Sequence, residues 1–412
     1  MPSGESDLPS TTDKTPIDKT PVDKAPIDKA PVDKSAVAEA VVDEVVRQKI
    51  DAYQRILKAA PNSFTAWSHL GYFLARAGMY DESRRTYQRA LQLRDNEPRV
   101  WFNYATVSER LGYYDEAVQC YMHALVVSPC YFKAMCGKSK NLYRLKRYKE
   151  ALESYEQAIA AGARAIQADD AQVADLWYGR GKALAKLDQM DDAIASFEKA
   201  LTLDAYQAKI WASLGQVLMY QNKDRAAIKH FDKAIKLKPD QALLWTYKGY
   251  LLKRLEYYED AYECFEKAVD LDPSAARLWH HRGLSLMNLK RYQEAQDSFE
   301  NALKLQAYDH KSWLSLGWAL EKTGEYEKAI EAYYKSLTIE PDQPFAFYRQ
   351  ARCYALLEDA HSAVEYLRRA IALDPDKYTA HATTDPILRG AHVDAALKPA
   401  PPRRKSPAAL SF

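Results

Sequence analysis

Apolar and polar residues along this chain follow two superimposed periods. Over short stretches apolar positions recur every three or four residues, the spacing of one face of a helix. Over longer stretches the whole pattern returns every 34 residues, and tryptophan marks it most clearly. Trp67, Trp101, Trp177, Trp211, Trp245, Trp279 and Trp313 hold position 4 of the repeat, with Met135 and Phe347 completing the series. Nine units follow: 64–97, 98–131, 132–165, 174–207, 208–241, 242–275, 276–309, 310–343 and 344–377. Eight extra residues, 166–173, separate the third unit from the fourth.

Other positions keep the same register. Position 8 is small throughout, as in Gly71, Ala105, Ser139, Gly181 and Gly317. Position 20 is Ser83 and then alanine, position 24 is aromatic from Tyr87 to Tyr333 with Leu367 last, and position 27 is alanine except Ser336. Positions 4, 7, 8 and 11 share one face of a first helix, and 20, 24 and 27 share one face of a second. Small residues let two backbones approach, and the large rings fill the space between them. Proline at position 32 (Pro129, Pro239, Pro273, Pro341, Pro375) ends the second helix, while Pro98 and Pro344 suit the first turn of the next. A single pair buries too little apolar surface to stand alone, so the pattern predicts stacked helix pairs.

On these residues, over 64–377, the chain resembles the tetratricopeptide repeat family. The resemblance implies an all-α fold, a right-handed superhelical solenoid of tandem helix–turn–helix units. It also implies a concave groove lined by the first helices, in which partner peptides or domains bind, and no enzymatic activity. Residues 36–63 resemble a partial repeat or N-terminal capping helix, with Tyr53 in place 24 and Pro61 in place 32.

The flanks differ. Residues 15–34 repeat [Thr/Ala]-Pro-[Ile/Val]-Asp-Lys four times. Proline at every fifth residue opposes both helix and sheet, so 1–35 are expected to be a disordered, Pro-rich arm. Residues 378–397 read as a C-terminal capping helix, and 398–412, with Arg403-Arg404-Lys405, as a disordered basic tail. The extra residues 166–173 are expected to lengthen the helices around 158–176.

The formal charge of +2 argues against nucleic-acid binding, and no apolar run reaches the length of a membrane span. The start lacks a secretory signal pattern, so the expected compartment is the cytoplasm. Five cysteines (Cys120, Cys130, Cys136, Cys264, Cys353) form no CxxC pair and are expected to be reduced core residues rather than metal ligands. His280 and His281 are neighbours, not i, i+4 partners, so they do not share a helical face as metal ligands would. Tyr178-Gly179-Arg180-Gly181-Lys182 lacks the spacing of a phosphate loop, and Gly181 holds small position 8. No catalytic set, cofactor, metal or small-molecule substrate is expected.

Charge is uneven within the repeat. Positions 1–14 sum to +17 over the nine units, and positions 15–34 to −14. Cations at helix ends suit the helix dipole, which accounts for position 13 (Arg76, Arg110, Arg144, Lys186, Arg254, Lys322). It does not account for position 2, near the helix N-terminus, where Arg99, Lys133, Lys209, Arg277 and Lys311 stand. A groove for an acidic partner is the other reading. Its expected lining is Arg99, Asn103, Lys133, Lys140, Tyr143, Arg144, Tyr178, Lys182 and Lys186, followed by Tyr247, Tyr250, Trp318 and Tyr348.

The function expected is that of an interaction scaffold binding protein or peptide ligands with acidic segments. An assembly or maturation factor for a multiprotein complex, including one at a membrane, is the alternative, and a nucleic-acid binder using the basic first helices is a third, less favoured reading. Some family members clamp a partner's terminal carboxylate, and that chaperone-adaptor pattern is met only at Asn103 and Lys133. Ser68, Tyr72 and Gly137 replace its other residues, which disfavours it.

Overall fold

The computed structural model describes residues 44–162 and 169–390. The expected arm 1–35, the segment 36–43, residues 163–168 and the chain from 391 onward lie outside them. The chain divides into two compact units, residues 1–205 and 206–412. All regular structure among the described residues is helical.

The first unit contains α1 (Glu44–Ala59), α2 (Phe64–Arg76), α3 (Tyr80–Leu93), α4 (Pro98–Arg110), α5 (Tyr114–Val127), α6 (Phe132–Arg144), α7 (Tyr148–Gly162), α8 (Asp170–Lys186) and α9 (Met190–Leu203). The second contains α10 (Ala208–Tyr220), α11 (Asp224–Leu237), α12 (Ala242–Arg254), α13 (Tyr258–Leu271), α14 (Ala276–Asn288), α15 (Tyr292–Leu305), α16 (His310–Thr323), α17 (Tyr326–Ile339), α18 (Pro344–Leu356), α19 (Ala360–Leu373), α20 (Pro375–Thr384) and α21 (Pro386–Gly390). In each unit successive helices pack side by side, so the fold is a tandem array of helix hairpins. First helices begin at position 1 of the repeat and second helices at position 17, with one exception. That exception is α8, which starts four residues early, at Asp170, inside the insertion.

The hairpins close on the small positions. The rings of Tyr87, Phe197, Phe231, Phe265, Phe299 and Tyr333 are buried against the glycine at position 8. A methyl group on Gly283 would sit 2.6 Å from the Phe299 ring. Two further glycines serve the contact between repeats. Gly137 and Gly179 occupy position 6, and a methyl group on either would lie 2.4 Å from the tyrosine of the preceding repeat, Tyr121 or Tyr155. Packing therefore runs from α7 to α8 across the insertion.

Each first helix ends in the same turn. The residue at position 15 takes positive φ in all nine repeats: Gly78, Gly112, Lys146, Asp188, Asn222, Glu256, Lys290, Gly324 and Glu358. The next amide donates back to the carbonyl of position 11, as from Tyr257 to Leu252 at 2.9 Å. This bond satisfies a carbonyl left open at the helix end and reverses the chain.

The repeat tryptophan does more than fill space. Its indole N–H donates to the position-32 carbonyl just before its own helix, from Trp67 to Pro61, Trp101 to Asp95, Trp245 to Pro239, Trp279 to Pro273 and Trp313 to Ala307, at 2.6 to 2.9 Å. At the C-terminal end Pro375 has two roles, since it follows the end of α19 and opens α20. The short α21 turns back to pack on α18, and Leu388 is fully buried there.

The cysteines depart from expectation at one place. Cys120, Cys264 and Cys353 are buried and Cys136 is half-buried, but Cys130 is exposed in the loop between α5 and α6. Loop residues have no packed face to occupy.

Candidate functional site: the first-helix face

Many first-helix cations are already engaged. At position 7, Arg180 pairs with Glu156 at 2.9 Å, Lys248 with Asp232 at 2.7 Å and Arg282 with Glu266 at 3.0 Å. Each carboxylate stands at position 25 of the preceding repeat. Where position 7 is Tyr104, Gln88 at position 25 donates to its hydroxyl at 2.7 Å. Arg180 and Arg282 also donate to Ser196 and Ser298 of their own second helix, both at 2.7 Å. The charge division between first and second helices is thus partly a set of bonds that join one repeat to the next. Neither the dipole nor a groove is needed for these residues.

Position 13 behaves similarly in two repeats. Arg144 donates to Glu109 at 2.6 Å, and Arg254 binds both carboxylate oxygens of Asp224 through Nε and Nη2, one edge of its guanidinium. Second helices are also joined, by Arg84 and Glu116 at 2.8 Å. The Arg84 guanidinium, helped by the hydroxyls of Tyr104 and Ser108, holds Glu116 down at about 2. A cleft of about 690 Å³ among α11, α12 and α13 carries the acidic counterpart of this pattern, with Asp232, Asp260, Glu263, Glu266 and Asp270 on its walls.

The cations that remain are at position 2 and nearby. Arg99, Lys133 and Lys140 are exposed and make no ion pair with any described residue. Lys182 and Lys186 are half-buried. The Lys182 ammonium stands 4.5 Å from the Tyr143 ring centre and 5.7 Å from that of Tyr178, so the two aromatics hold it. Asn103 is half-buried, and burial pushes the ionisation of the Tyr87 hydroxyl up with Asn103 opposing it.

The structure does not bring all the expected groove residues to an open face. Tyr143 is only 9% exposed and Tyr348 only 8%, so both rings belong to the packing. Tyr348 donates to Asp385 at 2.6 Å, beneath the turn between α20 and α21. Tyr247 is half-buried and stacks on Phe231 at 5.3 Å. Tyr250 meets His281 edge-on at 6.4 Å. Trp318 packs against the following repeat, with the Arg349 guanidinium 5.1 Å from its ring centre and Phe345 edge-on at 6.3 Å. Its indole N–H is buried and has no hydrogen-bond partner among the described residues.

Sequence reasoning passed over the group beside Trp318. Glu321 accepts from Arg349 at 3.2 Å, from Arg352 at 3.1 Å and from Tyr333 at 3.1 Å. Arg352 also pairs with Asp385. Glu321, Arg349 and Asp385 are nearly inaccessible, with side chains 4%, 6% and 3% exposed. The capping segment closes this end of the face. Arginine at positions 6 and 9 of one repeat after glutamate at 12 of the one before would have signalled it.

Tetratricopeptide repeat models match residues 64–107, 98–129, 132–161, 174–205, 208–241, 242–275, 280–344 and 346–377. The chain belongs to the tetratricopeptide repeat family. The family's repeats bind protein or peptide partners and are typically non-enzymatic, and the chain is accordingly a protein-interaction scaffold. A comparison with curated proteins gives no match.

Among solved structures, the C-terminal part of a TPR repeat-containing protein from Cytophaga hutchinsonii is 18% identical. It has a TM-score of 0.50, with 63% of this chain and 98% of that one covered. YrrB, described as a TPR protein with an unusual peptide-binding site, is 26% identical with a TM-score of 0.42, covering 45% of this chain and 97% of its own. The Cut9 and Hcn1 assembly of the APC/C gives 15% identity and a TM-score of 0.41, over 85% of this chain and 94% of that one. No helix among the described residues is long and apolar enough to cross a membrane.

Proposed function

We propose that the chain is a scaffold that holds an acidic segment of a partner protein along its first-helix face. One observation carries the reading. Arg99, Lys133 and Lys140 stand exposed on α4 and α6 without an ion pair among the described residues, while the cations at position 7 of the fourth, sixth and seventh repeats are consumed by carboxylates. Position 2 lies where the helix dipole already disfavours a cation, so Arg99 and Lys133 work against local stability. An incoming carboxylate would relieve that repulsion and gain charge-assisted hydrogen bonds. Lys182, seated on Tyr143 and Tyr178, extends the same face.

The test is capture from lysate by the full chain and by an Arg99→Glu, Lys133→Glu, Lys140→Glu version, at low and moderate salt. The proposal expects partners with acidic segments that the reversed chain loses, and whose capture weakens as salt rises. Capture of the same partners by both chains would defeat it.

A further inference from the structure

A second set of cations gathers in the other compact unit, around a histidine. Arg277 lies one helical turn before His281 on α14, and both side chains therefore project from the same side of the helix. Lys311 opens α16 beside Ser312, whose hydroxyl is 2.9 Å from the His280 ring. Lys253 on α12 stands 5.8 Å from the centre of the Tyr250 ring, which in turn meets His281 at 6.4 Å. Three cations on three successive first helices thus stand around the neighbouring rings of His280 and His281. Arg277 and Lys311 are exposed and make no ion pair with any described residue. Both stand in the first turn of a helix, where the dipole adds to their positive potential.

His281 itself is stacked on Phe265 at 5.4 Å, and its Nδ1 is buried without a hydrogen-bond partner among the described residues. A proton on that nitrogen has no acceptor. Burial, and then the charges of Lys253, His280, Arg277 and Lys311, hold the imidazole neutral. A carboxylate, Asp309, bears on His280 and accepts the Ser312 hydroxyl. Among the described residues no carboxylate pairs with Arg277 or Lys311 and no acceptor meets His281 Nδ1, and one oxyanion answers both needs.

We propose that the face formed by α12, α14 and α16 is an oxyanion site, seating a carboxylate or phosphoryl group of the acidic segment against Arg277 and Lys311 while His281 takes up a proton from solvent. This rests on the acidic-segment reading, but places an anchor outside Arg99, Lys133 and Lys140. Binding at this site draws one proton into the complex, so affinity rises as pH falls. The rise starts once pH drops below the value His281 acquires in the complex, and it ends below the depressed value of the free chain.

The probes are a fluorescent peptide of about eight glutamates, a phosphoserine peptide of the same length, and inorganic phosphate as competitor, each titrated into the full chain between about pH 7.5 and 5.5. Calorimetry in two buffers of different ionisation heat reads the proton directly. The expected results are tighter binding at the acid end, net proton uptake on binding within that range, and at least about a tenfold loss in Arg277→Glu, Lys311→Glu. His281→Phe, which keeps a flat ring against Phe265, should still bind but with no proton uptake. Stronger binding of the phosphoserine peptide, with displacement by phosphate, identifies a phosphoryl group; equal binding of both peptides identifies a carboxylate.

Affinity that does not change with pH, or an unaffected Arg277→Glu, Lys311→Glu chain with an unchanged melting curve, overturns the site. If Lys133→Glu, Lys140→Glu abolishes binding and Arg277→Glu, Lys311→Glu does not, this inference falls and the first-unit reading stands. The converse pattern supports this site and moves the anchor out of the first unit. If the full chain binds neither peptide, both readings fall.

Discussion

Glutamate occupies position 12 of the repeat twice, as Glu109 in the second and Glu321 in the eighth, and the two meet opposite surroundings. Each accepts a hydrogen bond from the position-24 tyrosine of its own repeat, Tyr121 at 3.3 Å or Tyr333 at 3.1 Å. Each also accepts from an arginine of the next repeat, Arg144 or the pair Arg349 and Arg352. The wiring is alike, but the solvent is not. The Glu109 side chain is 23% exposed and that of Arg144 42%, against 4% for Glu321 and 6% for Arg349. The difference comes from the capping segment, which lays Asp385 over Arg352 and Tyr348. One repeat pattern therefore yields an open, water-screened ion pair in one region and a sealed charge network in the other. The open pair leaves its surroundings accessible to a partner. The sealed one holds the array's last repeats together.

The largest expected effect follows from that sealing. Glu321→Ala leaves Arg349 and Arg352 buried with only Asp385 to balance them, and should cost about 3–5 kcal/mol. Chemical denaturation of the full chain measures it, with Glu109→Ala beside it as the open counterpart. Equal losses in the two variants would mean that burial does not distinguish the sites.

Asp385→Asn is a milder break in the same network. The amide oxygen still accepts from Tyr348, but the charge opposite Arg352 is gone. A loss of about 1–3 kcal/mol is expected, the range for a buried charged partner left incompletely satisfied. Asp385→Asn that melts like the unaltered chain would show that the cap contributes shape but no charge balance.

The register was legible because packing leaves few choices. A ring at position 24 fits only if position 8 is small, and that pairing recurs from Gly71 with Tyr87 to Gly317 with Tyr333. Periodic steric demands write themselves into residue size. The turn at position 15 was not legible, because six of its nine residues are lysine, aspartate, asparagine or glutamate rather than glycine. Their positive φ is imposed by the packed helices on either side, which override local preference.

The site was harder to read for a different reason. Net charge by position counts a lysine the same whether it faces water or a carboxylate. Lys248 and Lys140 contributed equally to the basic face, yet Lys248 is joined to Asp232 and Lys140 to no described carboxylate. Partner choice between repeats depends on side-chain reach across about 34 residues, and composition does not record it. Tyr143 and Tyr348 show the same gap, since helical position placed them on the groove side while neighbouring rings and the cap buried them.

Backbone cost can be separated from charge cost in the two regions. Gly112 and Gly324 occupy position 15, three residues after Glu109 and Glu321, with φ of 85° and 84°. Nothing lies within 4 Å of the methyl group that either would gain. Gly→Ala at each should therefore cost about 1–2 kcal/mol through backbone conformation alone, and the same amount at both. Denaturation midpoints of the two variants check this. A much larger loss at Gly324 than at Gly112 would show that the cap makes its whole region brittle, and would weaken the case for charge burial at Glu321.

The smallest effect on stability is expected at Glu109. Removing this carboxylate breaks a pair that water already screens and one hydrogen bond from the buried Asn141 amide, which keeps the Gly137 carbonyl, so Glu109→Ala should cost about 1 kcal/mol. Its effect on binding should be opposite in sign. Glu109 competes with any acidic segment for Arg144 and adds a negative charge next to the face that carries Arg99, Lys133 and Lys140. Without it Arg144 is freed, and the affinity for an acidic peptide should rise by about two- to fivefold at low salt, with the gain shrinking as salt increases. A titration of the variant at two salt concentrations measures both. Weaker binding in Glu109→Ala would mean that Glu109 positions Arg144 for the partner, and the open pair would then be part of the site rather than its competitor.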